Sequence, residues 1–139
     1  MAFIPKRVKF RKFQRGKRRG LATKGNTLVF GEFGLKALNN GFVTNSQLES
    51  CRVVLVRQLR QGGKLWIRVY PNKSITKKPL ETRMGKGKGD ISQWICNVRR
   101  GKVLFEIGGI PESYARGVFR LAAYKLSLKT KFVTREHVI

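Results

Sequence analysis

The stretch Ser92–Gly109, "SQWICNVRRGKVLFEIGG", contains two runs of apolar, β-branched and aromatic residues with Arg99-Arg100-Gly101 between them. Each run has the composition of a strand, and the Arg-Arg-Gly step reads as a hairpin turn. By simple alternation Trp94, Cys96 and Val98 share one face of the first strand. A hairpin joins antiparallel strands, whereas a parallel sheet needs a long crossover at each step. This stretch therefore argues for an α+β domain and against a doubly wound one.

Downstream, Pro111 suits the first position of a helix. Ala115, Val118, Phe119, Ala122 and Leu126 follow at helical spacing and form its buried stripe. Glu112 and Arg116 make an i,i+4 pair, and Arg120 extends that line. "KTKFV" (Lys129–Val133) is a last short strand. Upstream, "KLWIRVY" (Lys64–Tyr70) is another strand. Before it, Thr44 and Gln47 fit a capping box, which opens a helix over Thr44–Arg60. Leu48, Cys51, Val54, Leu55 and Leu59 form its apolar stripe, and Gly62-Gly63 ends it. Asn26–Phe30 reads as a strand bounded by Gly25 and Gly31. "EFGLKAL" (Glu32–Leu38) reads as a short helical turn before the Asn39-Asn40-Gly41 break. Pro71 to about Asp90 reads as one long loop. Unstructured loops of that length are uncommon in compact domains and tend to be functional or disordered. Trp66 and Trp94 fall within strand patterns, so core packing is the default for both and base stacking the minor alternative.

Composition restricts the partner. The chain has 139 residues, the size of one domain, with 31 Lys and Arg against 7 acids and a formal net charge of +24. Such a chain folds against its own repulsion and calls for a partner of dense negative charge, which nucleic acid supplies at every phosphate. No run of about 18 apolar residues is present to span a bilayer. Cys51 and Cys96 sit in apolar surroundings without metal-ligand spacing, so they read as small, reduced, buried residues. No metal or other cofactor is expected.

The first twenty residues carry nine Lys and Arg and no acid, with Phe3, Phe10 and Phe13 spaced among them. A basic run alone is usually a solvated tail. Interleaved aromatics favour an extended RNA-binding arm over residues 1–20, in which Lys6, Arg7, Lys9, Arg11, Lys12, Arg15, Lys17, Arg18 and Arg19 take phosphates and the arm orders on RNA. Residues 21–139 then form the folded domain that contains the 71–90 loop. Arg57 and Arg60 point away from their helix's apolar stripe, where a solvated face and RNA contact stand on an equal footing.

The glycine–lysine segment of the loop, "ETRMGKGKG" (Glu81–Gly89), lacks the Ser or Thr that a P-loop places after its lysine. It leads into a strand, not a helix, so it is no dinucleotide fingerprint. What remains is mechanical. Gly85, Gly87 and Gly89 let the backbone approach a surface, while Arg83, Lys86 and Lys88 present charge to it. No catalytic constellation accompanies it. His137, the single histidine, reads as a frayed tail residue. The acids are scattered, and no nucleophile stands beside a base. Glu81 and Asp90 flank the loop and tune its conformation.

"PKRVKFRKFQRGKRRG", "GKLWIRVYPNKSITKKPLETRMGKGKG" and "GKVLFEIGGIPESYARGVFRLAAYKLSLKTKFV" together resemble the bacterial-type family of large-subunit ribosomal protein number sixteen, from Pro5 to Val133. The resemblance implies a hammerhead-like α+β fold with two main helices. It also implies a non-enzymatic ribosomal role, large-subunit rRNA, tRNA and neighbouring ribosomal proteins as partners, and no membrane. It matches Lys6 through Arg19 to an arm threading between RNA helices. It matches Arg83, Lys86 and Lys88 to a loop pointing toward the peptidyl transferase centre and the aminoacyl-tRNA site. Arg83 matches an arginine that is hydroxylated in some members. Because the family begins where Pro5 stands, the basic start reads as mature arm and not as a transit peptide. The implied location is a ribosome, in a bacterial cytoplasm or an organelle. Cys51, Cys96, Asn97 and Asn39-Asn40 depart from the family pattern. The rival reading is a free-standing RNA chaperone or nucleic-acid regulator, and an RNA-modifying enzyme ranks third.

Overall fold

The computed structural model of the chain describes residues 3–60 and 62–135, so His137 lies outside the described residues. The order of elements is β1 (Phe33–Ala37), β2 (Gly41–Thr44), α1 (Asn45–Gln58), β3 (Lys64–Ile67), β4 (Lys73–Lys77), β5 (Asp90–Val98), β6 (Val103–Gly108), α2 (Glu112–Ala123) and β7 (Thr130–Thr134). The strands form two antiparallel sheets, β3-β6-β1-β7 and β2-β5-β4, and the α+β expectation holds.

The route to that fold differs from the one the opening stretch suggests. β5 and β6 follow each other in sequence but lie in different sheets. The turn is tight, with the Lys102 N–H donating to Arg99 O at 3.1 Å. Its other bonds go to β1, however. The Gly101 N–H donates to Ala37 O (2.7 Å), and the Ala37 N–H donates to Lys102 O (2.8 Å). The turn thus passes the chain from one sheet to the other, and each strand finds its partners far away in sequence.

Three further expectations are corrected. Residues 26–30 are not a strand, and the N–H groups of Val29 and Phe30 serve a side chain described below. Residues 33–37 are a strand and not a helical turn, since β1 has ladder partners on both sides, β6 and β7. The long loop is interrupted, because residues 73–77 form the edge strand β4 on β5. The unstructured part contracts to residues 78–89.

Both helices form, for local reasons, but they are shorter than expected: α1 ends at Gln58 and α2 at Ala123, so Leu126 lies beyond its helix, and Val54 is only half-buried. The Thr44 hydroxyl accepts the Gln47 N–H (3.2 Å), and the Gln47 side chain accepts the Thr44 N–H (3.1 Å), which closes the capping box. Pro111 is the N-cap residue of α2, one position earlier than expected. Leu48, Cys51 and Leu55 of α1 meet Val118, Phe119 and Ala122 of α2 over the buried faces of both sheets. The Cys51 thiol donates to Ala122 O at 3.5 Å, which ties the two helices together. Burial pushes its pKa up to about 12 and also raises that of Cys96, so both are inert, reduced core residues.

The outer face of β6 carries Glu106, 0% exposed. Its carboxylate accepts the N–H groups of Val29 (3.2 Å), Phe30 (2.7 Å) and Gly31 (2.8 Å) and pairs with Arg68. Burial pushes its pKa up, but bonds from Gly31, Phe30, Arg68 and Val29 outweigh that, and the net shift is downward. Only glycine fits at Gly31, where a Cβ would stand 2.6 Å from Ile107 O. Trp66, half-buried, packs its ring parallel to Phe30 (6.3 Å between centroids), while Trp94 is buried.

Glu106→Gln would leave at least one buried N–H and the Arg68 guanidinium without an anionic acceptor, a loss of about 3 kcal/mol. Thermal unfolding of the variant should fall by about 10 °C. Because the folded pKa is depressed, Glu106 stabilises fully above the ordinary carboxylate value, and that contribution disappears as pH falls through the folded value. The variant should therefore lose less stability on acidification than the wild type, as read by chemical denaturation at a series of pH values.

Candidate nucleic-acid interface

The N-terminal arm, residues 3–20, contains neither helix nor strand. Its attachments are side chain to main chain. The Ser74 hydroxyl donates to Arg11 O and the Lys73 ammonium to Arg15 O, so the arm passes the free edge presented by β4. Lys88 Nζ donates to Phe13 O, and Lys12 Nζ donates back to Lys88 O at 3.2 Å and lies 3.7 Å from Asp90 Oδ1. The two basic segments that stand seventy-five residues apart in sequence therefore meet at Lys12, Phe13 and Lys88. The first main-chain bond beyond the arm is the Ala22 N–H to Arg100 O (3.0 Å), beside a parallel bridge between Leu21 and Arg100.

Within the 78–89 loop, the Thr82 N–H donates to Pro79 O (3.2 Å) and Lys78 Nζ to Gly85 O. Gly85 (φ 97°), Lys86 (φ 57°) and Gly87 (φ 86°) form a left-handed run. A Cβ added at Gly85 or Gly87 would meet nothing, so these glycines serve backbone conformation and not packing within the chain. Gly89 differs, because its Cβ would lie 3.0 Å from the Lys77 carbonyl. Arg83, Lys86 and Lys88 are exposed, as are Leu80 (98%) and Met84 (97%) at the loop's outer part.

The distribution of acids matters as much as that of cations. Glu49 pairs with Arg52 (2.6 Å), Glu106 with Arg68 and Glu112 with Arg116 (2.7 Å). These acids pin the domain body. Of the arm's nine cations, only Lys12 has an acidic partner among the described residues. Arg18 lies over the Phe42 ring at 4.8 Å, which gives the arm a second point of rest on the sheet.

The expected site residues are thus brought together in part. The arm and the loop meet at Lys12, Phe13 and Lys88, which joins the two basic segments at that point. Arg57 and Arg60 are exposed at the far end of α1, and among the described residues neither shares a hydrogen bond or ion pair with that region. Lys73 and Ser74, which hold the arm, escaped the sequence reading because β4 was hidden between proline-flanked polar residues. Its "KSITK" alternation was the available signal. Among the described residues there is no group of metal-ligating side chains, and no helix is long and apolar enough to cross a membrane.

Comparison with known proteins gives a consistent result. The family model described as ribosomal protein L16p/L10e matches residues 5–133. The chain is 50% identical over 139 residues to the large ribosomal subunit protein uL16 of Methylacidiphilum infernorum, covering 100% of this chain and 97% of that one. It is 54% identical over 132 residues to the protein of the same name from Dehalococcoides mccartyi, covering 95% of this chain and 89% of that one.

Because its attachments are a few exposed side chain–carbonyl bonds, the arm should open readily in the free protein. Limited proteolysis should cut on the N-terminal side of Gly20 and stop at Ala22. Cleavage there should be suppressed once large-subunit rRNA is bound. Full protection without RNA would contradict this account.

Proposed function

Because this chain belongs to the ribosomal protein L16p/L10e family, we propose that it binds large-subunit rRNA near the aminoacyl-tRNA site and the peptidyl transferase centre and supports tRNA positioning. It is a structural protein of the large ribosomal subunit and not an enzyme. The observation that carries the RNA reading is the meeting of the arm and the glycine–lysine loop at Lys12, Phe13 and Lys88, in a region where, among the described residues, only Lys12 of the arm's cations has an acidic partner, while Glu49, Glu106 and Glu112 pair with arginines of the domain body.

The division of labour follows from the attachments. The arm takes phosphates where RNA segments crowd together, and the domain body fixes its root at Ala22. The loop is exposed, and its Gly85–Gly87 run has a left-handed backbone with little side-chain bulk at the two glycines, so it can lie close to tRNA or adjacent rRNA. Arg57 and Arg60 form a separate, secondary RNA contact. Neighbouring ribosomal proteins complete the partners. The decisive experiment is co-sedimentation, in which the chain should stay with large subunits through a high-salt wash. Release at low salt would overturn the integral role.

Two measurements test the parts. Removing residues 1–20 should flatten the dependence of log K on log salt for an rRNA fragment by about 0.7–0.9 for each phosphate that is no longer neutralised. An unchanged slope would mean that the arm neutralises no phosphate. Replacing Arg83, Lys86 and Lys88 together by alanine keeps the glycine backbone and the arm's root. Such subunits should assemble normally and be slowed at tRNA binding or peptide transfer. Failure to assemble would make the loop an assembly anchor, and normal rates would make it a solvated spacer.

A further inference from the structure

The arm does not lie flat on the sheet it crosses. Between the two is a groove of about 520 Å³, floored by the outward face of β5 and walled by Phe13 and Arg15 of the arm. Strand alternation places Gln93, Ile95 and Asn97 on this face, opposite Cys96 and Val98, which enter the core. The ladders bring Phe42 beside Asn97 and Lys73 beside Ile95. Arg18 rests on the Phe42 ring at the same groove. Lys73 and Lys88 hold the arm's carbonyls at Arg15 and Phe13, which keeps the wall in place.

Resting on the RNA-binding reading above, we propose that this groove receives one unstacked base of a single-stranded RNA segment, packed against Phe42 and read by the side-chain amides of Gln93 and Asn97. Three features select that occupant. No acid lines the groove, while Arg15, Arg18, Lys73 and Lys88 do, so the occupant carries negative charge. Among the described residues the Gln93 and Asn97 amides have no protein hydrogen-bond partner, although both stand on a regular strand facing the groove. An amide offers a donor and an acceptor side by side, which complements a base edge, whereas a phosphate uses donors alone. The aromatic ring supplies the remaining requirement, since base–aromatic stacking is the common means of holding a splayed-out base; Arg18, which lies over the Phe42 ring at 4.8 Å, lifts off it on binding and stacks on the base's other face. The phosphates on either side of the base would then meet Arg15 and Lys73.

The test uses the full chain and two short RNA single strands of equal length, one carrying bases of mixed sequence and one abasic. Both offer the same phosphates. The wild type should bind the base-bearing strand more tightly at fixed salt. The double variant Gln93→Ala, Asn97→Ala should lose about tenfold in affinity for that strand and nothing for the abasic one. Phe42→Ala should repeat this pattern, with thermal unfolding confirming that the variants remain folded. If the double variant binds the base-bearing strand like the wild type, or loses equally on both strands, the groove holds no base. If the wild type binds both strands equally well, the groove proposal falls and the RNA-binding reading stands. If the wild type binds neither strand, both fall.

Discussion

A single buried carboxylate organises how the basic arm leaves this domain. Glu106 sits on the outer face of β6 with no solvent, and its desolvation is offset only because three consecutive N–H groups and the Arg68 guanidinium converge on it. Those donors come from the segment before β1 and from the residue after β3. The carboxylate therefore locks the chain entering the sheet against the sheet itself. Val29 and Phe30 are held outward as a consequence, and the backbone upstream is directed to Ala22 and its bond with Arg100. From that fixed root the arm reaches β4 and the glycine–lysine loop.

The same economy governs charge. With 31 cations and 7 acids, the chain cannot neutralise itself by ion pairing. The body concentrates its few acids where a cation must be held in place. Arg52 keeps the Glu49 carboxyl ionised down to about pH 2, Arg116 joins Glu112 along one helix face, and Arg68 meets Glu106. The arm contains none, and the loop is flanked by only Glu81 and Asp90. Cations of the loop and of the adjoining β4 are instead satisfied in part by carbonyl oxygens, as at Lys78, Lys88 and Lys73. A carbonyl is a weaker partner for an ammonium than a phosphate is. Such bonds position the side chains and leave them able to exchange a carbonyl for a stronger anionic acceptor.

The interface also explains why β4 matters. An open edge strand invites pairing with another chain. Here the arm crosses that edge through Ser74 and Lys73, and the groove it leaves against β5 presents two unpartnered amides beside an aromatic ring. One segment thus both runs beside the edge strand and walls the groove.

The sequence by itself determined what depends on neighbours along the chain. The capping box at Thr44 and Gln47, the apolar stripes of both helices, the arm's charge and the need for glycine at Gly85 and Gly87 are local, and each was legible. The resemblance of whole motifs added the family. Tertiary structure decided what depends on pairing between distant residues. Whether Arg99–Gly101 turned back on itself or crossed between sheets was settled by Ala37, more than sixty residues earlier. Residues 26–30 stayed out of the sheet, with the Val29 and Phe30 N–H groups claimed by Glu106, while residues 33–37 became a strand because β6 and β7 lay on either side. β4 became a strand because β5 lay beside it. Backbone groups pair with whichever partner the core brings within reach, and that choice leaves no periodic mark in the residues that make it.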